Sequence, residues 1–238
     1  MDASAYAFVH GVRSTRATLS SWQRAPVPVL ARWVAGSAAA ATGLLLAVWL
    51  IATLDGHYTQ LVLLQPPFSP GDTGDVLHVL RSNMLVLALH AMACVAGFIA
   101  GSALPMQVEG RSGVSLWLHE HGGRLAIAFV VGATTFSLSA QAYLIGHTLA
   151  GVSNSLQVPP GLVLLAVLAH AVPELIALFL PLAAWIIASR RGEWEQMLAA
   201  SLVTVAFAIP ILVISAFIEV YVSPHIFIAL THLQVGPG

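Results

Sequence analysis

Residues 162–188 read LVLLAVLAHAVPELIALFLPLAAWIIA, and this stretch decides the fold. It is apolar throughout except for two ionisable side chains, His170 and Glu174. An α-helix rises about 1.5 Å per residue, so roughly 20 apolar residues cross the hydrocarbon core of a bilayer. The stretch is long enough to do this, and it predicts a transmembrane helix that carries polar groups in its interior.

Four further stretches have the same character and predict a polytopic membrane protein. Of the 238 residues, 58% are hydrophobic and 8% are charged, and the mean hydropathy is +0.87; soluble domains carry roughly 25% charged residues. We therefore expect an all-α transmembrane helix bundle of about five spans. The expected spans are 33–54, 84–104, 125–146, 162–188 and 198–222, in a transmembrane domain at 32–224 between an interfacial segment at 1–31 and an external tail at 225–238.

The arginines predict the orientation of these spans. There is no lysine, and the arginines concentrate before the first span, between the second and third, and between the fourth and fifth. The positive-inside rule then places the N-terminus in the cytoplasm and the C-terminus outside, in a bacterial plasma membrane. The net charge of −1 excludes a nucleic-acid partner and leaves membrane lipid as the surrounding partner. The cytoplasmic group is Arg13, Arg16, Arg24, Arg32, Arg111, Arg124, Arg190 and Arg191, against Arg81 on the other side.

The segments outside the spans give weaker signals. Residues 5–22 alternate apolar side chains with arginines and predict an interfacial amphipathic helix that ends before Pro26 and Pro28. The outer loop 55–82 is rich in proline, glycine and aspartate, which predicts turns rather than a long helix, with GDTGD at 71–75 as a solvated turn. We expect residues 119–121 (HEH) in a solvated cytoplasmic loop, or 115–121 as a short interfacial helix. The external histidines stay unassigned: His57, His78, His147, His225 and His232.

Six polar side chains lie inside the predicted spans. A charge at mid-bilayer costs ~2.5–3.5 kcal/mol even on the gentlest scale, and ionisable residues there are functional candidates. In the predicted orientation all six fall between the outer surface and the midplane, a bias that independent helices would not share. We therefore expect one buried polar cluster in the outer half of the bundle. Its members are His170, Glu174, Glu219, His90, Asn83 and Gln141.

Small residues predict close helix packing. Gly97 and Gly101 form a GxxxG pair in the second span, and residues 35–43 of the first span are mostly small. Such surfaces let helices approach closely, and either one provides a seam for a homodimer. We expect a homodimer, with further protein partners in the membrane or the cytoplasm.

The chemistry of the polar cluster leaves several classes of site open. His170 and Glu174 are four residues apart and share a helix face. The cluster can be a hydrogen-bond network that specifies packing, a proton or ion site in a transport path, or a metal site that His90 or Glu219 completes. A hydrolase needs a nucleophile with a base, but GxSxG and HExxH are absent around the serines of the spans. We expect no catalytic residue, no bound metal and no cofactor; the serines considered are Ser137, Ser139 and Ser215.

Two motifs resemble those of the stage II sporulation protein M family over about residues 80–224. HAVPELIA at 170–177 resembles the family's HG-x-x-E-L-x-A helix, and residues 209–224, with Glu219 before Ser223 and Pro224, resemble its IP…AAxIEAxxTP ending. Asn83 matches a common asparagine, and QAYLIG at 141–146 stands in the place of NGxxxG, which marks Gly146 as a packing residue. The resemblance implies a membrane anchor for partner proteins without known enzymatic activity.

Residues and resemblance together favour a non-catalytic multi-pass membrane subunit that scaffolds or anchors partner proteins. The alternative is a transport or permease component that uses the cluster as a proton, ion or substrate site, and a third class is an intramembrane hydrolase. A scaffold predicts that His170 and Glu174 are sealed by partners on every side. Transport predicts a water-accessible cavity from the outside that ends at them, and a hydrolase predicts a serine or metal within ~3 Å of them.

Overall fold

The structure, a computed structural model, describes residues 3–55, 71–99, 101 and 113–231. Within these ranges the chain is helical, with short turns and no strand. The α-helices are α1 (Ala3–Trp22), α2 (Pro26–Leu54), α3 (Thr73–Phe98), α4 (Gly113–Leu156), α5 (Pro160–Arg191), α6 (Met197–Phe217) and α7 (Ser223–Thr231). Five segments are long and apolar enough to cross a membrane: Pro26–Leu54, Thr73–Phe98, Ile127–Leu156, Pro160–Arg191 and Trp194–Thr231. The prediction of an all-α bundle with about five spans is confirmed.

The N-terminal segment is helical, as its amphipathic pattern predicts. Helix α1 ends at Trp22, and a turn closes with a hydrogen bond from the Ala25 N–H to the Trp22 carbonyl. Helix α2 begins at Pro26, a first-turn position where the missing N–H of proline has no cost. The prolines therefore separate two helices.

Helix α3 starts earlier than the second span was expected to start. The Asp72 carboxylate accepts a hydrogen bond from the Asp75 N–H, and the Asp75 carboxylate accepts one from the Asp72 N–H, each at 3.0 Å. This reciprocal arrangement is a capping box, which satisfies two otherwise unpaired donors at a helix N-terminus. GDTGD is thus a helix start rather than a solvated turn, and residues 73–82 are helical. The rest of the predicted outer loop, 56–70, lies outside the described residues.

Removal of this cap destabilises the protein. We expect Asp72→Ala to lower the free energy of unfolding by about 1 kcal/mol, because the N–H of Asp75 loses its acceptor. Thermal unfolding of the purified protein measures the change. Thr73→Ala is the matched control, because Thr73 follows Asp72 in the same exposed turn, and it should leave the melting temperature unchanged. Asp55→Ala is unsuitable as a control, since Asp55 has contacts of its own.

Helix α4 runs for 44 residues and includes 119–121, which the sequence placed in a solvated loop. The alternative of a short interfacial helix at 115–121 is closer, although the observed helix is continuous with the third span. Helix α4 ends with Gln157 at φ +55°, and helix α5 ends with Gly192 at φ +68°. At both helix ends the N–H of the following residue donates to a carbonyl five residues earlier, as in a Schellman motif. The two bonds run from the Val158 N–H to the Ser153 carbonyl and from the Glu193 N–H to the Ala188 carbonyl.

The last span contains a wider helical turn. A 3₁₀ turn (Trp194–Gln196) leads into α6, and a π-helical segment (Ile218–Val222) joins α6 to α7. The Ser223 N–H bonds the Ile218 carbonyl, five residues back. Pro224 has no N–H, so it cannot continue the regular ladder here. Residues 223–231 of the predicted span end and tail are helical, and 232–238 lie outside the described residues.

The chain forms two compact units, and each of α2 to α6 is divided between them. The first contains 1–37, 85–134 and 177–208. Its core packs Trp33 on Leu180, Ala184 and Ala200. Two glycines of the predicted packing stripe also belong to this unit, with Gly97 against Met197 and Trp185 and Gly101 against Trp194. These glycine faces are therefore filled by side chains of the same chain, and the homodimer stays a prediction.

The second unit contains 38–84, 135–176 and 209–238. Its smaller core packs Val76 on Ala216 and Val220. Gly146 lies close to α2, since a Cβ there would be 2.7 Å from Ile51 Cγ2 and 3.0 Å from the Val48 carbonyl oxygen. The candidate polar residues of α5 and of the last span fall in this unit.

Candidate functional site

Two polar stripes face each other in the second unit. On α5, His170 and Glu174 are one turn apart. On the last span, Ser223 and Glu219 are also four residues apart, across the π-helical turn. His170 Nδ1 is hydrogen-bonded to Ser223 Oγ at 2.7 Å, and Glu174 is close enough to Glu219 for the two carboxyl groups to interact electrostatically. Because the two segments run antiparallel and both spacings are four residues, His170 faces Ser223 where Glu174 faces Glu219.

Asn83 of α3 completes the site. Its side chain lies beside the Glu174 carboxyl group, so three helical segments contribute polar groups to one place. We call Asn83, Glu174 and Glu219 the carboxyl cluster. Glu174 is the fifteenth residue of α5, about 21 Å along the helix from Pro160, which places it deep within an apolar span.

Several polar atoms of this region are buried without a hydrogen bond. They are Glu174 Oε2, Asn83 Nδ2 and Ser215 Oγ. Asn83 and Glu174 are therefore neighbours whose facing atoms do not reach hydrogen-bond geometry. Ser215 is fully buried and precedes Glu219 by one turn on the same helix face. Each unpaired buried polar group lowers the stability of the folded protein by about 1–3 kcal/mol, so a bound partner that hydrogen-bonds these atoms would be stabilising.

Ser223 is the residue that sequence reasoning missed. It was read only as part of the Ser-Pro helix ending, yet its hydroxyl is the partner of His170. The 2.7 Å contact is within the distance expected between a catalytic serine and the histidine that acts as its base. The other features of a catalytic pair are absent among the described residues: Ser223 is only 6% exposed, and no carboxylate bonds the second ring nitrogen of His170 to orient it.

His90 belongs to the first unit, whereas Asn83, Glu174 and Glu219 belong to the second. Its Nδ1–H donates to the Leu178 carbonyl at 2.8 Å, and Cys94, one turn on, donates its S–H to the Pro181 carbonyl at 3.4 Å. Pro181 interrupts the hydrogen-bond ladder of α5, and both α3 side chains bond to α5 carbonyls around that point. Because α3 begins at Thr73, His90 is also deeper along its helix than the sequence suggested.

Gln141 is half-exposed and donates to Ser137 Oγ of its own helix at 3.1 Å. This contact does not connect it to the carboxyl cluster. Of the predicted six, the structure thus brings Asn83, Glu174 and Glu219 together and bonds His170 to Ser223 on the same pair of segments. His90 and Gln141 have other hydrogen-bond partners.

One external histidine has a specific partner. His147 Nδ1 forms a short contact with the carboxylate of Asp55 at the end of α2, and the His147 ring stacks on Tyr143. His225 bonds the Tyr221 carbonyl of its own helix at 2.8 Å. His57 and His232 lie outside the described residues. Among the described residues, no three His, Cys, Asp or Glu side chains are placed to hold one metal ion.

Comparisons with known proteins give this chain no relatives. No family model matches it, and neither a curated protein nor a solved structure matches it. The resemblance to the stage II sporulation protein M family therefore stays a prediction. The structure establishes an all-α protein with five membrane-spanning candidates and a partly buried carboxyl cluster in one of its two units.

Proposed function

We propose that this chain is a component of a membrane transport system and that its carboxyl cluster binds the cation that is moved or that drives movement. The observation that carries the proposal is the unpaired Oε2 of Glu174, buried within an apolar span beside Glu219 and Asn83. An ionisable intramembrane side chain is a functional candidate, and a buried carboxyl oxygen without a hydrogen bond can accept a proton or a cation.

Energetics favour this function over a purely structural network. A network that only specifies packing is stabilising when every member is satisfied, and a partly satisfied one is worse than an apolar core. His170 has a partner in Ser223, whereas Glu174 Oε2 has no hydrogen bond and is also buried from solvent. The atom is therefore less completely paired than a scaffold predicts, and it is not at the end of the water-accessible cavity that transport predicts. The scaffold function stays a prediction, and the hydrolase is supported only by the His170–Ser223 contact.

The donors of the site define the class of cation. Two carboxyl groups, an amide and, one turn away, a hydroxyl offer oxygen ligands, which suit a proton or a hard metal ion rather than a soft transition metal. Two neighbouring carboxylates repel one another, and one bound cation relieves that repulsion. We propose a monovalent cation, either a proton or Na⁺.

The orientation of the chain is part of the same proposal. Among the described residues, the first unit contains Arg13, Arg16, Arg24, Arg32, Arg124, Arg190 and Arg191, whereas the second contains Arg81 alone. By the positive-inside rule the span ends in the first unit face the cytoplasm, and the carboxyl cluster belongs to the outer half of a bacterial plasma membrane.

Labelling with dicyclohexylcarbodiimide tests the proposal. This lipid-soluble reagent attacks carboxyl groups that carry a proton, and a bound metal ion protects them. We expect mass spectrometry of the detergent-solubilised protein to find the adduct on Glu174 or Glu219, and to find little on the exposed Glu195. Suppression by NaCl but not by choline chloride identifies Na⁺, and suppression only by raising the pH identifies a proton.

The glutamine variants Glu174→Gln and Glu219→Gln assign the adduct to one residue. The proposal is overturned if the folded protein carries no adduct at either position, or if the adduct level responds to neither sodium nor pH.

A further inference from the structure

Two adjoining clefts lie in the first unit, where α1 turns into α2. One has a volume of about 190 Å³ and is lined by two guanidinium groups, Arg32 and Arg191, together with Glu193 and Gln196. We call it the basic cleft. The other, the apolar groove, has a volume of about 250 Å³. Trp22, Val29 and Trp33 line both clefts, so the two clefts are neighbours.

The basic cleft suits a phosphate group. Arg32 comes from α2 and Arg191 from the end of α5, both are exposed, and in the described part of the chain neither has an ion-pair partner. Glu193 is the one acidic residue that lines the cleft, which leaves a net positive charge. A guanidinium fork matches the geometry of a phosphate, and two of them can hold one anionic group from two sides.

The walls of the apolar groove are almost entirely apolar and suit a hydrocarbon chain. They come from α1, α2 and α6, and Gln23 is the one polar side chain among them. The groove adjoins the core formed around Trp33, and the Trp22 ring meets the Trp33 ring edge-on at 5.1 Å between centroids. The other apolar walls include Leu19, Pro26, Leu30, Val203 and Phe207.

The position of the basic cleft along the spans matches the depth of lipid headgroups. Arg32 is in the second turn of the apolar segment Pro26–Leu54, and Arg191 is the last residue of Pro160–Arg191. The ends of transmembrane helices lie at the headgroup level, where tryptophan and arginine are enriched. Basic pockets between such helix ends are a recurrent way to bind anionic headgroups.

We propose that the basic cleft binds the phosphate of an anionic phospholipid and that the apolar groove holds one of its acyl chains. A soluble phosphate ion would use the two arginines but would leave the adjoining groove without an occupant. This lipid site is made of residues from the first unit only, and it does not depend on the carboxyl cluster.

Native mass spectrometry of the full chain, stripped of lipid in a non-ionic detergent, tests the site. We expect dioleoyl phosphatidylglycerol to bind more tightly than dioleoyl phosphatidylcholine. The double variant Arg32→Gln/Arg191→Gln should lose roughly tenfold or more in affinity for phosphatidylglycerol and change little toward phosphatidylcholine. The control Arg13→Gln/Arg190→Gln removes the same charge from positions that do not line the basic cleft, and it should retain the preference.

Two outcomes would overturn the proposal: equal binding of the two lipids, or equal losses in the cleft and control variants. If the double variant does not fold, Arg191→Gln alone decides the question, because this side chain is exposed at a helix end. Leu30→Trp fills the apolar groove and should weaken both lipids.

Discussion

We expect replacement of Glu174 by glutamine to remove the stabilisation that the proposed cation gives to the purified protein. A ligand that binds only the folded state raises the melting temperature with its concentration. For the wild-type protein we expect this rise with NaCl relative to choline chloride, or with proton concentration in sodium-free buffer. Loss of one partner of a buried charge pair costs about 2–5 kcal/mol, so the variant should need at least roughly 30-fold more cation for the same rise.

The matched control removes a carboxylate that has no part in the carboxyl cluster. Glu195 is exposed and lies 3.7 Å from His10, a surface contact that contributes little to stability. We expect Glu195→Gln to keep the full cation response, and Glu219→Gln to lose most of it. A wild-type protein whose melting temperature ignores both sodium and pH would contradict the cation site itself, whatever the variants do.

Replacement of Gly97 by a larger residue has the largest expected effect on stability. A Cβ at this position would overlap Met197 Sδ and lie 2.7 Å from Trp185 Nε1. Both neighbours are among the most deeply buried side chains of the chain's described part, so neither has space to retreat. Overpacking of this kind costs about 1–3 kcal/mol, and we expect that loss for Gly97→Ala and almost no folded protein for Gly97→Leu.

Gly132 is the matched control for Gly97. It is also within a helix, α4, and a Cβ there would meet nothing within 4 Å. Gly132→Ala should raise stability by up to about 1 kcal/mol, because alanine is the better helix former. Thermal unfolding and size-exclusion profiles of the variants in detergent compare the two positions. Equal tolerance at Gly97 and Gly132 would show that the close approach at Gly97 is not present in solution.

The number and type of the spans were predictable because burial in lipid imposes a strong and local requirement on the sequence. Helix ends were less predictable because they depend on single hydrogen bonds. Asp72 and Asp75 have the composition of a turn, and only their reciprocal bonds make them a cap. The same applies to residues 119–121, whose polar composition does not prevent the third span from extending through them as a helix.

The carboxyl cluster was partly predictable, because Glu174 and Glu219 are both expensive to place in lipid and each is expected to face the interior of the bundle. Ser223 was not, since a serine costs little in a span and its role follows from the π-helical turn, which depends on Pro224. His90 was expected early in its helix because the start of α3 at Thr73 was not recognised. Its partner is a carbonyl group near a proline, which no side-chain pattern reveals.

Helix α4 is longer than the apolar segment that it contains. The apolar segment of this helix begins at Ile127, whereas the helix itself begins at Gly113. These fourteen extra residues extend about 21 Å at the usual rise, which is most of the thickness of one bilayer core. A group attached near the first turn of α4 is therefore up to about 21 Å from the start of the apolar segment, measured along the helix.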